Sequence, residues 1–219
     1  MLSPNKRQWN KNKEIYIWIF NVGRGFSSFI KTPHNYGMMI DCGTSENIAP
    51  FKDVIEPHFL RYLDSIKYKK TIAKLVQVIV THPHSDHCLE IDYVLKNALP
   101  MLLTTPHSNP DEADTNLHVN WDLVNNPEYG KSAVEVLKDS INGRTPPLRE
   151  YVKDIKIAVP GFDFKIFYIP PKLNERTLPA TDYVNNLSIV AYLKLGNASI
   201  LFLGDLMPSG CEYLLRNNE

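Results

Sequence analysis

The chain has 219 residues, 43% hydrophobic and 22% charged, enough to bury one large core, so a single domain is expected. Lys plus Arg is 24 and Asp plus Glu is 24, which disfavours a protein that holds nucleic acid mainly through a net basic field. No apolar stretch reaches the roughly 20 residues of a membrane helix, the first apolar run is shorter than a signal-peptide core, and Cys42, Cys88 and Cys211 make no disulfide framework. A cytoplasmic protein with no membrane segment is the expectation.

Residues 1–13 read as a basic N-terminal tail carrying Lys6, Arg7, Lys11 and Lys13, and residues 14–219 as the domain. Ile15 to Phe20 is apolar on both alternating sets, which predicts a strand buried on both faces. Phe26 to Lys31 and Gly37 to Asp41 follow as two short strands joined by a turn around Pro33, His34 and Asn35, completing a small antiparallel meander. Pro57 suits the first turn of a helix whose apolar face is Phe59, Tyr62, Leu63 and Ile66. The polar side of that helix, with Arg61, Lys67, Lys69, Lys70 and Lys74 around it, reads either as a solvated face or as a track for a phosphate backbone.

Leu75 to Val80 is β-branched and almost wholly apolar, hence a buried strand, and it runs directly into Thr81-His82-Pro83-His84-Ser85-Asp86-His87. Ile91, Val94, Leu95 and Ala98 then recur at helical spacing, predicting a helix from about Asp86. About 104–160 lies an excursion rich in Asn, Asp, Pro and Thr, with a short helix at 132–141. Strands return at Phe162 to Ile169, Ile189 to Leu195 and Ala198 to Leu203, the last two joined by Gly196-Asn197 and the last ending at Gly204-Asp205.

The chemistry-bearing feature is H-x-H-x-D-H. His82 and His84 leave a strand end two residues apart, so both project to one side and can share one metal ion. Asp86 and His87, turned by the helix start, face a second position. Imidazole with carboxylate suits zinc and tolerates manganese or iron. The plainer reading is a surface loop, with Asp86 capping the helix. Against it, Asp41 and Asp205 end two further buried strands, and a carboxylate at a sheet end opposite clustered histidines is how dinuclear sites obtain a bridging ligand.

Five stretches occur in order along nearly the whole chain: Asn21-Val22-Gly23-Arg24-Gly25, Ile40-Asp41-Cys42-Gly43, the histidine motif, Asn185-Asn186-Leu187-Ser188 and Leu203-Gly204-Asp205-Leu206. Together they resemble the metallo-β-lactamase superfamily and, within it, the competence-type (ComEC-like) branch. The resemblance implies an α/β fold, an αββα sandwich with two divalent ions, Zn or Mn, at one edge of the sheets. It also implies roles: His82 and His84 on the first ion, Asp86 and His87 on the second, Asp205 bridging, and Asp41 orienting a ligand through a hydrogen bond. Two ions lower the pKa of a bridging water to about 7, and Asp86 or Asp205 would hold that water and manage its proton. Because that branch is associated with DNA degradation during uptake, the resemblance implies a phosphodiesterase or nuclease acting on nucleic acid or a nucleotide. A thioester, lactone or lactam substrate is the second hydrolase reading.

The chain also departs from the pattern. Residues 161–204 contain no histidine where many members supply one to the first ion, Asn185, Asn186 and Ser188 standing there instead, and the fourteen positions after Asp205 carry no His-His-Gly element. The expectation is a second sheet lacking its C-terminal strands and weakened metal affinity. The alternative function is a degenerate or incomplete module without its own catalysis, completed by a partner chain or, as a homo-oligomer, by a second copy. Arg24 and Asn186 are candidate substrate contacts, with an exposed turn arginine the alternative for Arg24. His34, His58, His107 and His118 read as turn, helix-surface and loop residues, and Cys88 as a small buried residue.

Overall fold

The computed structural model describes residues 14–68, 71–106 and 163–217. Strands β1 (Tyr16–Ile19), β2 (Ser27–Lys31) and β3 (Gly37–Cys42) form the antiparallel meander, and β6 (Leu75–Ile79) and β7 (Leu102–Thr104) add to it in parallel, giving the order β1-β2-β3-β6-β7. A hairpin, β4 (Ile66–Tyr68) with β5 (Thr71–Ala73), precedes β6. Further along the chain, β8 (Asp163–Phe167), β9 (Val190–Leu195) and β10 (Ala198–Phe202) make a separate antiparallel sheet in the order β10-β9-β8.

Alternation along β2 and β3 assigns the two faces of the first sheet. Phe29 and Met39 pack with Phe51, Val54, Ile55, Phe59, Ile91, Val94 and Leu95 from two helices, α1 (Phe51–Phe59) and α3 (Ile91–Ala98). Ile30, Met38 and Ile40 face the other way and share a core with Phe164, Ala191, Leu193 and Phe202 of the second sheet. The far side of that sheet, through Val190 and Phe167, meets Leu214 and Tyr213 of α6 (Pro208–Asn217). Between β8 and β9 lie α4 (Pro171–Thr177) and the single turn α5 (Tyr183–Asn186). The sheets and helices therefore make a mixed α/β arrangement. No helix among the described residues is long and apolar enough to cross a membrane.

Several expectations need correcting. The first strand is not buried on both faces: Tyr16, Ile17 and Trp18 are half-buried and Ile19 is 61% exposed, and among the described residues β1 pairs only with β2, at the edge of the sheet. The helix expected from Pro57 instead spans Phe51–Phe59 and closes with a 3₁₀ turn at Leu60–Tyr62, while Ile66 opens β4. Its start is set from outside: the Glu90 carboxylate accepts the amides of Phe51 (2.8 Å) and Lys52 (3.0 Å), two donors a helix start leaves unsatisfied. Pro57 then falls inside, and the wide π-type winding accommodates a residue that has no N–H to give. Of the basic stretch, Arg61 lies in the 3₁₀ turn, Lys67 on β4 and Lys74 just after β5, where its Nζ donates to Leu60 O at 2.8 Å, while Lys69 and Lys70 lie outside the described residues.

The helix expected from Asp86 is two, α2 (Ser85–Cys88) and α3. A continuous helix would bond the Glu90 amide to the Asp86 carbonyl. Instead the Glu90 amide donates to Cys42 O (2.9 Å), and Asp86 O accepts from the Phe26 amide (3.2 Å). Tertiary bonds to β3 and to the residue just before β2 thus break the helix next to the histidine motif. Apart from Thr104, which ends β7, and Thr105 and Pro106 after it, the excursion and its short helix, with His107 and His118, lie outside the described residues, as does the basic N-terminal tail.

Candidate metal centre

β3 and β6 are parallel neighbours, so their C-terminal ends deliver Asp41 and Thr81-His82 to one edge of the sheet. Asp41 is the extra residue of a β-bulge: Ser27 pairs with Cys42 and Ser28 with Ile40, which leaves Asp41 unpaired with φ at 56°. A bulge of this kind re-aims a side chain, and Asp tolerates the left-handed region better than most residues. The Asp41 carboxylate is fully buried and accepts three hydrogen bonds, from Thr81 N (2.6 Å), Thr81 Oγ1 (2.7 Å) and His87 Nδ1 (2.7 Å). The last bond presents His87 Nε2 to the site.

Glycines let the histidine loop come this close. A Cβ on Gly43 would lie 1.7 Å from Asp86 O, and one on Gly25, where φ is +80°, would lie 2.1 Å from the same atom. The Asn-Val-Gly-Arg-Gly and Asp-Cys-Gly stretches therefore bracket the Asp86 carbonyl with bare backbone.

His82 Nε2 and His84 Nδ1 lie 2.9 Å apart, near the ~3.3 Å edge between two ligands of a tetrahedron with bonds of about 2.0 Å. With Asp205 they form a group whose ligand-capable atoms all fall within 4.8 Å of one another, and such a group could hold a metal ion. Asp205 follows β10. Its Oδ2 is 3.9 Å from His82 Nε2 and its Oδ1 is 3.3 Å from His87 Nε2, so the two oxygens face different imidazoles. His87 Nε2 is buried and makes no well-formed hydrogen bond. An orphaned, buried imidazole nitrogen beside a carboxylate, with two further imidazoles adjacent, is a donor set that fits a divalent ion.

Asp86 stands outside that group. Its carbonyl is held by Phe26, and its carboxylate acts on His84 by charge. Arg24 is exposed on the loop that abuts Asp86. Asn186 is fully buried and not presented to solvent: its Oδ1 accepts from the Met207 amide (3.3 Å) and its Nδ2 donates to Ser209 Oγ (3.2 Å), tying α5 to the start of α6. His34 and His58 are exposed and Cys88 is buried, its Sγ donating to His84 O.

Two residues without an assigned role in the sequence reading join the cluster. Thr81 Oγ1 lies 3.1 Å and Ser188 Oγ 3.3 Å from His82 Nδ1, and both residues are fully buried. The signal for them was a hydroxyl at the end or start of a buried strand, where it must find a partner.

Burial holds the His82 imidazole well below its ordinary pKa, and the neighbouring His87 and His84 add to this. His84 is lowered mainly by burial. His87 behaves oppositely: burial disfavours its charge, but Asp205 and Asp41 outweigh it and push the value up to about 10. The His87 imidazolium in turn lowers Asp205 against the pull of partial burial, whereas Asp41 is raised by burial despite its hydrogen bonds. At neutral pH His82 and His84 thus offer lone pairs, while His87 keeps a proton that a metal must displace.

Residues 20–100 match the family model for the metallo-beta-lactamase superfamily. That segment contains Asp41 and the whole histidine motif, and the mixed α/β architecture is consistent with this fold type. The match points to a metal-dependent hydrolase. No curated protein matches the chain significantly.

Proposed function

We propose that this chain is a dinuclear metal-dependent hydrolase of phosphodiesters in nucleic acid or a nucleotide, of the competence-type branch and with the αββα arrangement of that fold. The observation that carries the reading is Asp205, whose two carboxylate oxygens point at His82 and His87 from 3.9 and 3.3 Å. His82, His84 and Asp205 would hold one ion and Asp86, His87 and Asp205 the other, with zinc or manganese suited to such ligands. When bound, the ions supply Lewis acidity and a water ionised near neutral pH.

The remaining roles fall to the protein's own groups. Asp205, with its side chain 45% exposed, is reachable by substrate, and because its carboxyl is lowered it is ionised at neutral pH and able to accept a proton. Asp86 is the second carboxylate beside the site. Arg24, exposed on the loop touching Asp86, would meet an anionic group on the substrate. Asp41 fixes the His87 ring so that Nδ1 carries the hydrogen. The free thiols of Cys42, Cys88 and Cys211 suit a reducing, cytoplasmic setting.

The test is metal stoichiometry by mass spectrometry on protein purified without chelator, for wild type and Asp205→Ala, followed by single-stranded DNA, RNA and an aryl phosphodiester. About two ions per chain, fewer in the variant, with Asp205-dependent cleavage, is expected. Cleavage of a thioester, lactone or lactam alone would replace the phosphodiester assignment, and metal-free wild type would defeat the reading. A second reading, a module completed by a partner chain or a second copy, draws on β10, a sheet edge among the described residues, with Leu201 on it and Leu203 just after it exposed. Sedimentation as a compact monomer would count against it.

A further inference from the structure

We infer that Asn186 is a positioning residue for Asp205: with Ser188 it fixes the backbone turn that carries this carboxylate, so the junction of α5 and β9 sets where Asp205 stands in the cluster. The inference rests on reading the cluster as a metal centre.

Asp205 needs support from its main chain. Its side chain is 45% exposed, and the groups it faces, His82 and His87, are imidazoles that would themselves be ligands. It stands at the second central position of a tight turn, 203–206, closed by the Leu206 amide donating to Leu203 O at 3.3 Å, with Gly204 at the first central position and φ +56°. One bond across the turn leaves the amides of Asp205 and Met207 to find acceptors elsewhere. Two side chains from the preceding segment supply them. The Asp205 amide donates to Ser188 Oγ at 3.1 Å and the Met207 amide to Asn186 Oδ1 at 3.3 Å.

The chemistry of these partners explains why the residue is asparagine. A backbone N–H can only donate, so the Asn186 oxygen is the atom that faces Met207 and its NH₂ faces Ser209 Oγ at 3.2 Å. Ser209 Oγ in turn donates to Asp182 Oδ2 at 3.1 Å and keeps lone pairs for the Asn186 NH₂. The place thus asks for an acceptor on one side and a donor on the other. Asn186 is fully buried, and the first turn of α6 is pressed against it: a Cβ on Gly210 would lie 2.3 Å from Asn186 Oδ1 and 2.6 Å from Leu206 Cδ1. A glycine weakens a helix relative to alanine, and here it permits that approach. Without the Asn186 amide, the Met207 N–H loses its acceptor and the turn is held on the Ser188 side alone. The residue expected to touch substrate therefore acts through the main chain around Asp205.

The test uses the full chain. Competition against a chelating indicator gives Zn²⁺ affinity, amide hydrogen exchange in metal-free protein reads the turn, and a urea midpoint reads stability, each for wild type, Asn186→Ala and Asn35→Ala. Asn35 is a buried asparagine in the turn at the far end of β3 from Asp41, where its Nδ2 donates to Tyr62 O at 2.9 Å, so its loss sets what lost stability does by itself. Asn186→Ala should bind Zn²⁺ about 10- to 100-fold more weakly, with the Met207 and Asp205 amides exchanging about 10-fold faster than in wild type. Asn35→Ala should keep its Zn²⁺ affinity within about twofold of wild type. Zn²⁺ bound by Asn186→Ala within about twofold of wild type overturns the proposal, and so does an equal loss of affinity in Asn35→Ala. Should Asn186→Ala not fold, Gly210→Ala, whose Cβ displaces the Asn186 oxygen, carries the same expectation and the same refutation. Wild type that takes up no Zn²⁺ would defeat the metal-centre reading itself, and exchange at Met207 and Asp205 would then decide the positioning, unchanged rates in Asn186→Ala refuting it.

Discussion

Replacing Asp41 separates what holds the fold from what prepares the site. Asp41→Ala removes the acceptor of three hydrogen bonds and leaves the Thr81 amide, the Thr81 hydroxyl and the His87 ring nitrogen without a partner in a fully buried place. Removing one member of a buried charged pair costs about 3–5 kcal/mol, and a Cβ-bearing residue without Asp's local hydrogen bonding at φ 56° adds roughly 1 kcal/mol. That is a large share of the about 5–15 kcal/mol of an ordinary domain. Asp41→Asn keeps the shape and tolerates the left-handed backbone. It also sheds the cost of ionising a buried carboxyl that burial has already raised, so the loss should be nearer 1.5–3 kcal/mol.

The site responds differently. With the Asn oxygen on the fixed Thr81 amide, its NH₂ stands where Oδ2 stood and faces His87 Nδ1. His87 then satisfies it only by moving its hydrogen to Nε2, the atom beside Asp205. Asp41→Asn should therefore fold and yet bind Zn²⁺ about 10- to 100-fold more weakly. Urea denaturation followed by tryptophan fluorescence, with Zn²⁺ competition on the same samples, measures both quantities. Zn²⁺ bound by Asp41→Asn as tightly as by wild type, or Asp41→Ala within 1 kcal/mol of wild type, would refute the reasoning.

Four further outcomes are expected. His87, raised to about 10 in the metal-free fold against an ordinary 6.5, contributes stability that is fully present below pH 6.5 and fades as pH rises through about 10; a chelator-treated urea series across that window reads it, and calorimetry near pH 8 in buffers of different ionisation enthalpy should show a proton released on Zn²⁺ binding. Gly43→Ala, whose Cβ would meet Asp86 O at 1.7 Å, should lose about 1–3 kcal/mol or more in urea denaturation and weaken Zn²⁺ binding. Gly23→Ala, with nothing within 4 Å but φ at +76°, should lose only about 1 kcal/mol and keep Zn²⁺. Glu90→Ala should deprive the start of α1 of its acceptor, costing about 1–2 kcal/mol, and the Phe51 and Lys52 amides should exchange faster than in wild type.

Much of the scaffold was legible because its signals are local. β2, β3, β6, β9 and β10 are short apolar runs that stay strands in any fold that buries them, and H-x-H keeps two rings on one side wherever an extended backbone carries it. Where long-range bonds compete with local ones, the sequence reading failed. The helix expected at Pro57 begins at Phe51 because Glu90, 39 positions onward, supplies the first amides with an acceptor. The helix expected from Asp86 breaks because Cys42 and Phe26 take its internal bond partners. Ile15 to Phe20 has the composition of an interior strand, but whether a strand has one neighbour or two depends on sheet order.

The same division runs through the site. The identities of His82, His84, Asp86 and His87 as candidate ligands, and of Asp41 and Asp205 as acids ending buried strands, follow from residue type and spacing alone. The sequence does not show that Asp41 occupies a bulge and grips Thr81 and His87, that Asp205 turns one oxygen to each of two histidines, or that Ser188 bridges His82 to the Asp205 backbone. Each of these contacts joins residues 17 to 123 positions apart, and such distances are closed by the order in which strands pair and sheets stack, which local propensity does not encode.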